Sequence, residues 1–370
     1  MENAVQANNE VLFSVTNGVG HILLNRPKAI NALSIRMVEE IGKRLTEWEQ
    51  DDSVAIIIIE GAGEKGLCAG GDMRSFYDKR NDNVEAHALT FFSTEYKMNL
   101  ALYRYTKPIV AYMNGIVMGG GVGLSIFASD RVVTERSKLS MPEMNIGFFP
   151  DVGGSYFLNQ MPGHMGRYLA LTAHLFNGAD AIYLGAADHY MESTNWDALK
   201  KDVQTMDWIA CGGRKVVEDK LREIIQKYTV KEAPESQLAN VQDKVDKHFA
   251  HNSVADILAS LDASAAEGDE WAAETAKTLR SKSPISMAVA LEQLIRGKNM
   301  SAADCFRMEM NMSMHFMHSH DFYEGVRSVL VDKDRNPNWR PASIEEVKRE
   351  DVEAFFKNPW EGGQHPLADE

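Results

Sequence analysis

Two glycine-rich segments, Cys68-Ala69-Gly70-Gly71-Asp72 and Gly119-Gly120-Gly121, each follow an apolar run that reads as a strand. A turn of this kind opens the next helix with backbone N–H groups that lack a helical acceptor. Two such turns can face one oxygen, and without side chains they let a ligand carbonyl approach the backbone. The chemistry this favours is stabilisation of an oxyanion by two preorganised donors. A single glycine triplet would more often serve a tight turn or close helix packing. The spacing does not give GxGxxG, and no GxxxxGK[ST] phosphate loop occurs in the chain, so neither a dinucleotide fingerprint nor a P-loop is indicated. Further on, Met141 to Gly154 carries Pro142, Pro150 and three glycines and reads as a loop. Its two acids, Glu143 and Asp151, taken alone, fit a solvated loop in which Asp151 caps the turn before Gly153-Gly154.

The elements that must hold these segments alternate between strand and helix. Val11 to Asn25 predicts a hairpin turning at Asn17-Gly18. Ser34 to Glu49 places Ile35, Val38, Ile41, Leu45 and Trp48 on one helical face, with Ser34 as N-cap. The run from Val54 reads as a strand buried on both faces, as in a parallel sheet. A helix is predicted over about 84–105, then one strand over PIVAYMNGIVM from Pro108, then an apolar helix over VGLSIFAS. Asp130 to Ser140 reads as one short strand and a turn. From about Trp196 the character changes: Lys200 to Asn299 is charged, alanine-rich and helical in pattern, and Pro284 marks the start of another helix.

Length and composition bound the function. A chain of 370 residues with 44% hydrophobic and 25% charged residues is an ordinary globular protein with room for a large core and an appended region. The formal charge of −14 opposes nucleic acid and anionic membranes as partners. The longest apolar run, VAIIIIEGAG, is far too short to span a bilayer. Cys68, Cys211 and Cys305 are widely spaced and contain no CxxC pair, which argues against a disulfide framework or a structural zinc site. The N-terminal stretch MENAVQANNEVLFSV has neither a secretory nor an Arg-rich amphipathic leader pattern, so a cytoplasmic location is expected.

Four segments in series, NRPKAINAL (Asn25 to Leu33), CAGGDM (Cys68 to Met73), NGIVMGGGVGL (Asn114 to Leu124) and MPEMNIGFFPDVGG (Met141 to Gly154), resemble the crotonase, or enoyl-CoA hydratase/isomerase, superfamily. The resemblance covers about residues 11–190 and 280–355. It implies an α/β fold, a spiral of repeated ββα units followed by an extended C-terminal helical region, with acyl-CoA thioesters as substrates. The chain is accordingly divided into a catalytic core over 11–200, a charged helical connection over 201–282 and a C-terminal helical region over 283–357. By motif, the oxyanion donors are the N–H groups of Gly71 and Gly120, with Ala69, Gly70 and Asp72 completing the segment that lines the substrate. Glu95 matches a family position that approaches the acyl group, although a helical glutamate beside Lys97 would ordinarily lie on the surface. Lys28 lies in the motif that runs along CoA.

The acids decide among family chemistries. Where hydratases of the family close the GGGxE segment with a glutamate, this chain has Gly123, so a two-glutamate hydration lacks one partner. MPE and FPDVGG, together with HDFYEGVRSVLVDKDRNPNWRP (His320 to Pro341), are similar to the 3-hydroxyisobutyryl-CoA hydrolase branch. That resemblance implies thioester hydrolysis in valine breakdown. Glu143 is the expected reacting carboxylate, as general base or as nucleophile, and Asp151 the group that holds the substrate hydroxyl or the water. No metal or redox cofactor is expected, since CoA arrives with the substrate, and self-assembly into a homo-oligomer is compatible with the family. The alternatives are an enoyl-CoA hydratase or isomerase, which Gly123 disfavours, and a non-catalytic acyl-CoA-binding protein of the same fold. The run from Met308 to His320 reads as core packing rather than a metal site, because methionines at every second position cannot all face one ion. Cys68 reads as a small buried residue rather than a nucleophile.

Overall fold

A computed structural model describes residues 9–360 and 362–370; the leader reading above falls partly on residues 1–8, outside the described residues. The fold is mixed α/β, and the chain forms two compact units that interleave in sequence. Of the described residues, the first comprises those up to Gly71 with Lys97–Leu139 and Phe176–Ala239, and the second Asp72–Tyr96, Ser140–Leu175 and those from Asn240 onward.

The first unit holds both sheets. Strands β1 (Val11–Thr16) and β2 (Val19–Leu24) form the predicted hairpin, and Asn17 and Gly18 both take positive φ, as a two-residue turn matched to strand twist requires. The helix Ile35–Glu49 follows, with the Ser34 side chain accepting from the Met37 N–H. The next strands come in pairs: β3 (Ile56–Gly61) and β4 (Gly66–Cys68), β5 (Ile109–Tyr112) and β6 (Ile116–Met118), β7 (Asp130–Thr134) and β8 (Lys138–Ser140), then β9 (Phe176–Asn177) and β10 (His189–Met191). A six-stranded sheet runs β1-β2-β3-β5-β7-β10, parallel from β2 onward, and a four-stranded sheet runs β4-β6-β8-β9. In the first three pairs the earlier strand joins the larger sheet and the later one the smaller. Each ββα turn therefore advances both sheets by one position, which is the spiral.

Two single-strand readings are corrected by this geometry. PIVAYMNGIVM is not one strand: Gly115 at φ 63 bends the chain between β5 and β6, which lie in different sheets. Asp130 to Ser140 likewise supplies two strands. The apolar helix after the glycine triplet is also shorter than VGLSIFAS suggested and spans Gly120–Ser125.

One face of the larger sheet is covered by the helices Trp196–Thr205 and Arg214–Tyr228, whose Leu199, Val203, Leu221 and Ile225 join Ile56, Ile58, Val110 and Val132 in one core. The first part of the charged stretch, over residues 196–228, is thus an amphipathic cover for the sheet. In the second unit the helices Pro284–Gly297 and Ala302–Phe316 are central, and Phe76, Phe92, Phe148, Phe316 and Phe322 form a continuous aromatic core with ring centroids 5.1 to 5.9 Å apart between successive partners.

The NRPKAINAL segment has a structural task in the first unit. Buried Asn31, at φ 55, accepts from the Arg26 N–H through Oδ1 and donates through Nδ2 to the Ala62 and Gly66 carbonyls. Asn31→Gly keeps the left-handed backbone accessible while deleting these bonds. It is expected to lower unfolding free energy by about 3 kcal/mol, at roughly 1 kcal/mol per hydrogen bond, as measured by urea denaturation.

Candidate active site

The two glycine segments lie side by side within the first unit. Strands β4 and β6 pair in parallel, so the loops that leave their C-terminal ends are neighbours. Gly70, at φ 107, is backed by the Met118 carbonyl and the Gly119–Gly120 backbone; a Cβ there would sit 3.3 Å from the Met118 oxygen and 3.8 Å from the Gly120 nitrogen. Gly121 is closer still to its neighbour, and a Cβ would fall 2.5 Å from the Cys68 carbonyl oxygen. Only glycine permits this approach.

The first loop is tied down on its other side. The Leu33 N–H donates to the Gly70 carbonyl at 2.8 Å, the Ala69 N–H to the Ile30 carbonyl at 2.9 Å and the Gly70 N–H to the Cys68 sulfur at 3.4 Å. Among the described residues neither the Gly71 nor the Gly120 N–H has an acceptor. Gly120 opens its helix, where a free N–H is expected, after Gly119 at φ 47. The structure thus places two uncommitted backbone donors on two adjacent, rigid loops. Gly123 lies buried in that helix and brings no side chain. Ala69, Gly71 and Asp72 are half-buried, whereas Lys28 is exposed on the single turn Pro27–Ala29.

The acids gather in the second unit. Glu95, on the helix Val84–Arg104, is 2% exposed, Glu143 is 7% and Asp151 is 6%. Glu95 is therefore no surface residue, despite Lys97 beside it. Glu143 opens the 3-10 turn Glu143–Ile146, and Asp151 lies just before a turn in which Val152 and Gly153 both take positive φ. One oxygen of Glu95, Oε1, and one of Glu143, Oε2, are buried without a hydrogen-bond partner. Asp151 is held by the Tyr96 hydroxyl, which donates to Oδ2 at 2.9 Å and shares a 2.8 Å hydrogen bond with Ser313 Oγ.

Burial, then the charge of Asp151, pushes both Glu95 and Glu143 well above the ordinary carboxylate range. Burial raises Asp151 to about 7, against the opposing pull of the Tyr96 hydrogen bond. Glu60, buried in the first unit, shows what the cluster lacks. Burial disfavours its charge too, yet His21, Lys200 and Trp196 beside it hold it down at about 2. None of Glu95, Glu143 and Asp151 forms an ion pair among the described residues. A cluster of this kind binds protons more tightly than ordinary carboxyl groups do and can pass or accept them, as acid–base or nucleophilic chemistry requires.

Two members of the cluster, Tyr96 and Glu309, do not follow from the motifs. Glu309 sits fully buried in the methionine-rich helix Ala302–Phe316, where Oε2 accepts from the Gly153 N–H and Oε1 from the Ser155 N–H, both at 2.8 Å. Burial raises it to about 8. For Glu309 the spacing carries a signal: Phe306, Glu309, Ser313 and Phe316 share a helical stripe, and a face that begins and ends in phenylalanine is a core face. The methionines at 308, 310 and 312 are buried around it as core, and among the described residues no cluster of His, Cys, Asp and Glu is arranged to hold a metal.

Fold, paired glycine loops and buried acids together define an acyl-CoA enzyme scaffold, and the chain belongs to the enoyl-CoA hydratase/isomerase family, whose model matches residues 19–356. Within that family it is similar to the mitochondrial 3-hydroxyisobutyryl-CoA hydrolase of Gallus gallus, 39% identical over 94% of this chain and 89% of that one. It is also 39% identical to the small ribosomal subunit protein mS47 of Neurospora crassa, over 91% of this chain and 69% of that one. Among solved structures, a carnitinyl-CoA dehydratase from Mycobacterium thermoresistibile superposes with a TM-score of 0.86, at 41% identity, over 95% of this chain and 97% of that one.

These relatives correct the expected cytoplasmic location, since the hydrolases that the chain resembles are mitochondrial. No described helix is long and apolar enough to cross a membrane.

The raised acids also set a pH dependence of stability. Asp151 binds its proton more tightly when folded, at about 7, than at the ordinary 3.8. Its favourable contribution is complete below pH 3.8 and is lost as the pH rises through 7. Asp151→Asn, which still accepts from Tyr96, is expected to flatten the decline in unfolding free energy across that window, as measured by urea denaturation at a series of pH values.

Proposed function

We propose that this chain hydrolyses 3-hydroxyacyl-CoA thioesters, 3-hydroxyisobutyryl-CoA foremost, to the free 3-hydroxy acid and CoA, as a step of valine breakdown. The observation that carries this reading is the buried Glu143–Asp151 pair, with one Glu143 oxygen uncommitted and no second glutamate at Gly123. Hydration of a double bond calls on two carboxyl groups flanking it. Thioester cleavage needs one carboxylate at the carbonyl carbon and donors for its oxygen.

The Gly71 and Gly120 N–H groups receive the thioester oxygen as it takes up charge. Glu143, ionised, either removes a proton from the attacking water or attacks the carbonyl carbon itself. In the second route the C–S bond breaks, CoA leaves as the thiolate, and the mixed anhydride at Glu143 is cleaved by water. Both routes consume one water and release one thiol and one carboxylic acid. Asp151, oriented by Tyr96, holds the 3-hydroxyl or the water, and Glu95 lines the acyl group. The hydrolase relatives support the substrate class; the names of the mS47 and dehydratase relatives supply the competing readings.

Free-thiol release from a panel of 3-hydroxyacyl, enoyl and saturated acyl-CoAs decides among them. The expected result is turnover of 3-hydroxyisobutyryl-CoA above all others. Loss of enoyl absorbance with crotonyl-CoA would establish a hydratase, and CoA binding without turnover of any thioester a binding protein. Glu143→Gln should lower kcat by about 1,000-fold and Asp151→Asn by about 100-fold, within the range ascribed to positioned acid–base groups. Because the reactive form of Glu143 is ionised and burial, then the charge of Asp151, raises its pKa, activity should be lost on acidification at a pH well above the ordinary carboxylate range. Asp151→Asn should move that acid limb to lower pH by removing the neighbouring charge.

A further inference from the structure

We infer that Glu309 is a positioning residue, which holds the Pro150–Ser155 turn in the strained backbone conformation that aims Asp151. The inference rests on the hydrolase reading for its catalytic consequence, and on geometry alone for the turn. Val152 is a fully buried, β-branched residue at φ 49, a conformation costing such a residue of order 1–3 kcal/mol. It persists only where its surroundings determine it. The next residue, Gly153, is also left-handed, at φ 89, and it opens the short helix Gly154–Phe157.

Glu309 grips both sides of that glycine. One carboxyl oxygen takes the Gly153 N–H and the other the Ser155 N–H, so each oxygen serves as an acceptor. The helix Pro284–Gly297 completes the clamp: Gln293 Nε2 donates to the Pro150 carbonyl at 2.7 Å and to Ser155 Oγ at 2.8 Å. A methionine-rich helix would gain more from an apolar side chain at position 309 than from a buried acid without an ion pair. What the acid supplies is a fixed geometry two residues beyond Asp151. Its placement explains why one carboxyl group interrupts the stripe Phe306, Met310, Ser313 and Phe316.

Glu309→Gln tests this, since the amide keeps the size but replaces one acceptor with a donor that faces a backbone N–H. Two readouts are needed. Hydrogen–deuterium exchange of the peptide spanning residues 150–157 requires no substrate, and it should rise in the variant while exchange across the β3–β5 region stays as in wild type. On whichever thioester the wild type cleaves, kcat should fall by about 100-fold, as misplacement of a reacting group by an ångström does, with KM changed less than about threefold. Unchanged exchange at 150–157 overturns the inference whether or not the protein is a hydrolase. Increased exchange with kcat unchanged overturns the catalytic half alone. If Glu309→Gln does not fold, Gln293→Leu, which removes only the second clamp, should show the same two effects at smaller amplitude; its absence from both readouts would count equally against the clamp.

Discussion

Glu95, Glu143, Asp151 and Glu309 are carboxyl groups buried in one unit without a single cation paired to them among the described residues. Charges so placed repel one another and lose their hydration, so the unit must keep some of them protonated and must supply neutral donors to the rest. The donors it supplies are specific: a tyrosine hydroxyl on Asp151 and two backbone N–H groups on Glu309. Each comes from an element that has to be in register for the bond to form. The C-terminal helices of this unit therefore do more than cover a core. They bring Ser313 to Tyr96, Glu309 to the turn and Gln293 to Pro150.

The first unit solves the opposite problem, keeping polar groups uncommitted without leaving the backbone loose. Parallel pairing of β4 with β6 sets two loops side by side, and the contact of Gly121 with the Cys68 carbonyl leaves no room for either to shift. Hydrogen bonds at Ala69, Gly70 and Gly119 hold the two loops, so Gly71 and Gly120 are fixed by their neighbours while their own N–H groups stay open. Preorganisation of this kind costs nothing at the moment of reaction.

Local chemistry was legible in the sequence and long-range partnership was not. The Asn17-Gly18 turn, the Ser34 cap, the paired glycine loops and the loop acids follow from residue type and spacing, and the order of four motifs identified the family. The division of PIVAYMNGIVM between two sheets was hidden because both halves are apolar and β-branched; only Gly115 marked the bend. Glu309 was hidden by its methionine neighbours, which drew attention to metal and packing rather than to the acid among them. Its partners lie more than 150 residues away along the chain. The burial of Glu95 was obscured in the same way by Lys97, because an exposed neighbour says little about the opposite face of a helix.

The cysteines carry a practical consequence. Cys68 is sealed under the Gly121 contact with its sulfur engaged by the Gly70 N–H, and Cys305 is buried beneath the turn at Gly297, where burial pushes its thiol up to about 12. Cys211 alone is half-exposed, on a surface turn where Lys220 points at its sulfur. A thiol-specific chromogen added to the folded protein thus meets one ready reactant per chain. Colour beyond one equivalent reports liberated CoA, and labelling at Cys211 offers a place to attach a probe without touching the glycine loops or the acids.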